Sequence, residues 1–165
     1  MKKTLYLIRH AKSSWEHPGL RDINRPLNER GMHDAPKMAR LLEQTGVQPD
    51  LLVSSTAKRA YQTALYFAAA FGVDDEAVEQ NPEIYEAMPT DILRVVSRLP
   101  ARAQTVFLFG HNPTLTEITN RFSETFIANV PTCGIVKIES SATDWAHFDE
   151  SNARVTASYF PKEVL

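Results

Sequence analysis

Arg9 and His10 put a fixed cation beside an imidazole where a short apolar run ends, and the small residues Ala11, Ser13 and Ser14 follow. A guanidinium fork matches the oxygens of a phosphate, and an imidazole near neutral pH serves as nucleophile or proton carrier. A surface Arg-His pair at a strand end would look the same, so the pair alone leaves both readings open. Further along lie Arg59, Glu86 and His111. Singly, each has an ordinary explanation: a solvated helix arginine, a loop carboxylate, a histidine bonded to backbone. Jointly, two arginines, two histidines and a single acid compose a phosphate pocket. A divalent metal would ask for histidines joined by carboxylates or thiolates without fixed cations beside them, so neither a metal nor another cofactor is expected. Cys133 lacks the arginine-rich loop that activates a phosphatase thiolate and reads as a small buried structural residue. Ser13, Ser14, Ser54 and Ser55 lack the Gly-x-Ser-x-Gly setting of a serine hydrolase.

Strands and helices must bring these residues together. Residues 4–8 form a strand-like apolar run, and residues 15–28, with Pro18, Gly19 and Pro26, read as a long loop of the kind that is usually functional in compact domains. Asn28 can cap a helix to about residue 45, where Pro36 predicts a kink or a late start and Gly46 a stop. Residues 50–54 are a second strand, after which Ser55 or Thr56 caps a helix over 57–71. An acidic loop spans 73–81, a weaker third strand 82–85, and Thr90 caps a short helix through 98. Residues 104–110 are the other strong strand, and Asn112 and Pro113 supply the cap and first position of a helix to about 122. Residues 134–139 and 155–160 read as two further strands, with a short edge strand near Trp145 between them. This alternation predicts an α/β fold: a three-layer α/β/α sandwich around a mostly parallel sheet, antiparallel late in the chain. Ligands of such sheets bind beyond the carboxyl ends of the strands. Arg9 and His10, Arg59, Glu86 and His111 each follow a predicted strand, so they are expected on one rim.

Bulk properties narrow the classes. Residues 1–165 read as one domain, large enough for a real core, with 43% apolar and 23% charged residues. A formal charge of −2 and the lack of a basic tract give no support to nucleic acid or membrane partners. A lone cysteine suits a reducing compartment, and the apolar run after Met-Lys-Lys is too short for a signal peptide, so a cytoplasmic protein is expected. The sequence does not speak to oligomeric state.

Leu7-Ile8-Arg9-His10-Ala11 resembles the Arg-His-Gly signature of the histidine phosphatase superfamily, which has the phosphoglycerate mutase-like fold. Arg25-Pro26-Leu27-Asn28-Glu29-Arg30-Gly31, the stretch from Ser54-Ser55-Thr56 through Arg59 to Ala64, and Gly110-His111-Asn112-Pro113 agree in order and spacing. The small size and the Arg-His-Ala-Lys-Ser form are most similar to the compact, SixA-type phosphohistidine phosphatase branch. Ala11 departs from the superfamily's usual glycine, and there is no room for the large inserted cap of mutases and phytases. The resemblance implies a phosphatase in which His10 carries the phosphoryl group while Arg9, Arg59 and His111 bind its oxygens. It implies Glu86 as the acid that protonates the leaving group, with Asp22 in the first long loop as the alternative. The expected substrate is a phosphorylated protein, phosphohistidine included, or else a small phosphate ester. A phosphate-binding module without catalysis is the remaining alternative, and it would have no need of a nucleophile.

Overall fold

In a computed structural model, which describes residues 2–165, a six-stranded sheet runs β3-β2-β4-β1-β5-β6. Its centre is β1 (Lys3–Arg9), paired in parallel with β4 (Thr105–Gly110) and antiparallel with β5 (Ile135–Ser140). On the far side of β4 come β2 (Leu51–Ser54) and the two-residue β3 (Glu79–Gln80), both parallel, and β6 (Ala153–Tyr159) closes the other edge against β5. The expected parallel sheet with late antiparallel pairing is what forms.

The two-residue period of the strands sorts their side chains into two cores. Leu5 and Leu7 of β1 and Val106 and Leu108 of β4 face one layer. Helices α3 (Pro89–Ser97) and α4 (Thr114–Phe122) cover it with Ile92, Val95, Val96, Leu115 and Ile118. Tyr6, Ile8, Phe107 and Phe109 face the other layer, under α1 (Glu29–Glu43) and α2 (Lys58–Ala70), which contribute Ala35, Met38, Leu42, Ala64 and Phe67. A strand buried on both faces cannot alternate polar and apolar, which is why β1 and β4 read as continuous apolar runs. A short final helix, α5 (Pro161–Val164), follows β6.

Several expected elements differ. The third strand is Glu79–Gln80, and Pro82–Ile84 is a 3-10 turn whose one buried side chain, Ile84, plugs the core below α3. The segment near Trp145 is likewise a 3-10 turn, not an edge strand, and the indole is buried with its N–H on the Ala103 carbonyl at 2.7 Å. Helix α1 starts at Glu29 despite Pro36, because Asn28 accepts the Gly31 N–H at 2.9 Å and holds the first turn. Helix α2 is capped at Ala57; the Ser55 hydroxyl instead accepts the Ala57 N–H at 3.1 Å. Helix α3 begins after Met88 rather than Thr90, with the Asp91 carboxylate reaching back to the Met88 N–H at 2.8 Å. Helix α4 begins at Thr114, with Pro113 at the cap and the Asn112 side-chain oxygen accepting the Thr116 N–H at 3.1 Å.

Candidate active site

Register places the site. Arg9 of β1 lies opposite Gly110 of β4, so His10 and His111, each one residue further on, emerge side by side with ring centroids 5.2 Å apart. Ser54 of β2 lies opposite Phe109, which puts Ser55 next to His111 and the start of α2 behind it. β1 has β4 on one side and the reversed β5 on the other, so its carboxyl end opens into a crevice. The crevice is a cleft of about 340 Å³ lined by Arg9, His10, Asp22, Arg25, Arg59, Tyr85, Glu86 and His111, among others. The sequence candidates are all brought together, although Glu86 stands exposed on the rim. A groove of about 510 Å³ between the ends of α4 and β6, lined by Arg121, Glu124, Glu139, Glu150 and Arg154, contains none of them.

His10 is held in one tautomer. Its Nδ1 lies 2.7 Å from the Ala11 carbonyl oxygen, which can only accept, so Nδ1 carries the hydrogen and Nε2 keeps a free lone pair. Burial, aided by the positive field of His111, Arg59 and Arg9, holds its pKa down to about 3, so the ring is neutral at physiological pH. The backbone around it is clamped. His10 N–H donates to Gly110, the Cys133 N–H is shared between the Arg9 and His10 carbonyls at 3.1 Å each, and the Ala11 N–H reaches Thr63 Oγ1 at 3.0 Å. Cys133 is buried, and burial pushes its thiol pKa far up, so it is a structural plug beneath the histidine.

His111 Nε2 lies 2.8 Å from Ser55 Oγ, and burial first, then Arg59 and Arg9, bring its pKa down to about 4. The Ser55 oxygen also accepts from Ala57, and when its own proton goes to Nε2 the ring hydrogen sits on Nδ1. Arg9 Nη1 donates to the Val130 carbonyl at 3.0 Å, and Asn112 Nδ2 donates to that same oxygen at 2.8 Å. Arg59 donates through Nη1 to the Asp22 carbonyl at 2.8 Å and through Nη2 to Asp22 Oδ2 at 3.0 Å. After these bonds, three buried side-chain nitrogens among the described residues have no partner: Arg9 Nε, Arg59 Nε and His111 Nδ1. An unmade bond of this kind costs about 1–3 kcal/mol per group. All three belong to one cleft, and an anion with several acceptor oxygens would satisfy them together.

The model of the histidine phosphatase superfamily (branch 1) matches residues 5–92. The chain belongs to the histidine phosphatase superfamily. SixA of Agrobacterium tumefaciens, assigned as a phosphohistidine phosphatase, superposes with a TM-score of 0.80 at 31% identity, covering 96% of this chain and 98% of its own. A SixA from Nakamurella superposes at 0.79 with 26% identity, covering 98% of this chain and 97% of its own. An uncharacterised chloroplastic protein of Arabidopsis thaliana is 29% identical over 88% of this chain and 70% of its own length. The fold is thus the phosphoglycerate mutase-like one expected, and the family and its SixA-type neighbours support a phosphatase.

Asp22, the alternative acid, proves to be the most heavily bonded carboxylate of this histidine phosphatase cleft. Besides Arg59, it takes the Tyr85 hydroxyl at 2.6 Å and Arg25 Nε at 3.1 Å. The Tyr85 bond, then Arg25 and Arg59, hold its pKa down to about 2, so in the free cleft its charge is committed to these three partners. Glu86 adopts φ 52°, a left-handed conformation that costs a residue with a side chain roughly 1 kcal/mol. The strained turn sets it beside Tyr85 at the cleft mouth. The supporting residues Ser55, Tyr85, Arg25 and Asn112 could not be recognised from sequence, because each acts through a neighbour that only the fold supplies. Ser55 and Arg25 do lie inside stretches that carry the family resemblance. Among the described residues, no group of three His, Cys, Asp or Glu side chains is placed to hold a metal ion, and no helix is long and apolar enough to cross a membrane.

Proposed function

We propose that this histidine phosphatase removes the phosphoryl group from phosphohistidine on a protein, by way of a phosphohistidine of its own at His10. The observation that carries the reading is that three unpartnered buried nitrogens belong to side chains lining one cleft with a neutral, tautomer-locked imidazole. Arg9, Arg59 and His111 bind the oxygens of the transferred group, where the transition state spreads its negative charge. His10 Nε2 attacks phosphorus in line; the Nε2–P bond forms as the bond to the substrate's ring nitrogen breaks. The substrate ring takes a proton from the Glu86 carboxyl on its other nitrogen, so it departs as neutral imidazole. Water then attacks phosphorus, its proton passes to the Glu86 carboxylate, and cleavage of the Nε2–P bond restores neutral His10.

A protein-borne substrate is favoured by a cleft with no inserted cap over it, and by likeness to SixA structures named as phosphohistidine phosphatases. An imidazole protonated on its second ring nitrogen leaves far more readily than an alkoxide, since it departs as a neutral ring whose conjugate acid has an ordinary pKa of about 6.5. An exposed acid such as Glu86 is adequate for that task. The described residues act as one histidine phosphatase domain in this reading, and a lone thiol suits a reducing compartment such as the cytoplasm. The test is a hydrolysis panel of phosphohistidine proteins, phosphoserine peptides and small phosphate esters, with rapid acid and alkaline quenching. Phosphohistidine should give the highest kcat/KM, and an acid-labile, alkali-stable phosphoenzyme should form in the wild type and vanish in His10→Ala. Preference for a small ester would overturn the substrate assignment, and turnover surviving in His10→Ala would overturn the nucleophile. Glu86→Gln should slow poor leaving groups more than good ones.

A further inference from the structure

We infer that Trp15 is a stacking platform for the leaving group, so that this cleft selects phosphoryl groups carried on planar rings over those carried on aliphatic hydroxyls. The inference deepens the proposed function and rests on it for the phosphate site, while making its own claim about specificity.

Trp15 lines the same cleft as His10 and Arg59, yet 77% of it is exposed. Its ring lies over the Arg25 guanidinium, whose central carbon is 3.4 Å from the ring centroid. Arg25 cannot move with it. The arginine is 8% exposed, and it is held by Asp22 Oδ1 (3.1 Å), Ser13 Oγ (3.1 Å) and the Ser14 carbonyl (2.9 Å). The loop that carries Trp15 is closed at its base: Ser14 N–H donates to Pro26, Ser13 bridges Leu27, and Asn28 N–H donates to Lys12. A tryptophan with one face on a fixed cation and most of its surface in solvent has its other face bare. The ring is therefore a flat apolar surface seated on an anchored cation, at the mouth of a cleft whose other lining side chains are polar or charged.

Packing does not account for this placement, because the ring contributes to neither layer of the core. Phe126, equally bare at 80%, is not part of the cleft. What a rigid indole face offers a ligand is contact with another flat ring, and little beyond that for a short alkyl chain. A group bonded directly to the phosphorus held by Arg9, Arg59 and His111 is the part of a substrate that extends toward the mouth. An imidazole, a phenol or another aromatic ring at that position meets the indole; a serine or sugar hydroxyl does not.

The experiment measures kcat/KM for Trp15→Ala, Trp15→Phe and the wild type. The substrates are phenyl phosphate, an alkyl phosphate, a phosphohistidine peptide and a phosphoserine peptide, with inorganic phosphate as competitive inhibitor. Trp15→Ala should lose about tenfold on the two ring-bearing substrates, chiefly in KM, and less than about twofold on the aliphatic pair. Trp15→Phe should recover most of the loss, and inhibition by phosphate should be unchanged. An equal loss on all four substrates, or none on the ring-bearing pair, overturns the platform. A wild type that neglects phosphohistidine while Trp15→Ala still separates phenyl from alkyl phosphate would sink the proposed substrate and leave the platform standing. Phosphohistidine turnover indifferent to Trp15 would do the reverse.

Discussion

Replacing Asp22 by asparagine should tighten the binding of inorganic phosphate. Arg59 commits Nη1 and Nη2 to the Asp22 carbonyl and carboxylate, so the free protein holds an internal anion against one of the proposed phosphate ligands. The fall of the Asp22 pKa from 3.8 to about 2 measures how strongly its surroundings favour the charge, with the Tyr85 hydroxyl the largest cause, followed by Arg25 and Arg59. Taken at face value the shift would be worth roughly 2 kcal/mol. The carboxylate is 49% exposed, however, and solvent screening reduces the value to about 1 kcal/mol shared among its partners. An incoming phosphate dianion competes for the Arg59 share and is repelled by the carboxylate. Removing the charge while keeping a side chain of the same shape should therefore lower the inhibition constant of phosphate about threefold to fivefold.

The assay is competitive inhibition of phenyl phosphate hydrolysis at pH 7, checked by calorimetric titration. Linkage supplies a second reading: whatever Asp22 costs phosphate, phosphate costs the ionised Asp22, so the carboxyl pKa should rise when phosphate is bound. Carbon-detected NMR titration reads that directly. If phosphate binds more weakly to Asp22→Asn, the carboxylate serves to aim Arg59 and the competition argument is wrong. If kcat falls more steeply as the leaving group becomes poorer, the acid is Asp22 and not Glu86.

The histidines give a prediction for pH. Both have folded pKa values below the ordinary 6.5, about 3 for His10 and about 4 for His111. The unfolded chain therefore takes up protons first as pH falls, and stability present above pH 6.5 is lost on acidification. Between pH 7 and pH 5 the loss is about 2 kcal/mol for each group; urea melts of His111→Asn should fall less steeply over that range than the wild type. Gly31→Ala should destabilise by about 1–3 kcal/mol in the same melts and reduce activity, because a Cβ there would overlap the Lys12 carbonyl oxygen in the segment that follows His10. A mutant as stable as the wild type would mean that the first turn of α1 yields freely. Ser55→Ala should lower kcat roughly tenfold by freeing the His111 ring from its 2.8 Å partner, while Ser55→Thr keeps most of it; unchanged kcat in the alanine variant would remove the hydroxyl from the account.

How much of this was legible in the sequence depended on how burial writes itself into residue type. β1 and β4 are buried on both faces, so their runs Leu5–Ile8 and Val106–Phe109 announced them. β3 could not be read: Glu79 and Gln80 are exposed and polar, and they form a strand only because β2 offers its backbone edge, Val53 opposite Glu79. Ile84, buried from a turn, imitated a strand residue in their place. Helix starts slipped by a few residues wherever a side chain reached across a turn to the backbone, as Asp91 does to Met88 and Ser55 to Ala57. In the cleft, Arg9, His10, Arg59 and His111 stood out jointly, because each follows a predicted strand and lies in a stretch that carries the family resemblance. Asp22 was visible only as a carboxylate in a long loop; its bonds to Arg25, Arg59 and Tyr85 span up to 63 positions and leave no local trace. Trp15 was invisible for a different reason, since an aromatic residue in a loop signals nothing until its stacking partner is known to be immobile.

The free cleft has an uneven charge, and that unevenness has a chemical use. Its guanidinium groups stay positive, whereas burial and their own field keep both imidazoles neutral. Were His10 protonated it would hold the charge that attracts phosphate but lose the lone pair that attacks it; burial and the surrounding cations keep it neutral, and the Ala11 carbonyl leaves that lone pair on Nε2. His111 faces the opposite requirement. Its unpartnered Nδ1 must donate to an oxygen whose charge grows during transfer, and a phosphate dianion beside it supplies the field that draws a second proton onto the ring. Ser55 can follow that change without moving, because its hydroxyl donates to a neutral Nε2 and accepts from a protonated one. His10 has no such freedom: its Nδ1 is fixed against a carbonyl that only accepts. In the proposed mechanism, two neighbouring histidines brought together by strand register are thus given different tasks by their hydrogen-bond partners: a carbonyl makes one a nucleophile, and a hydroxyl lets the other change its charge.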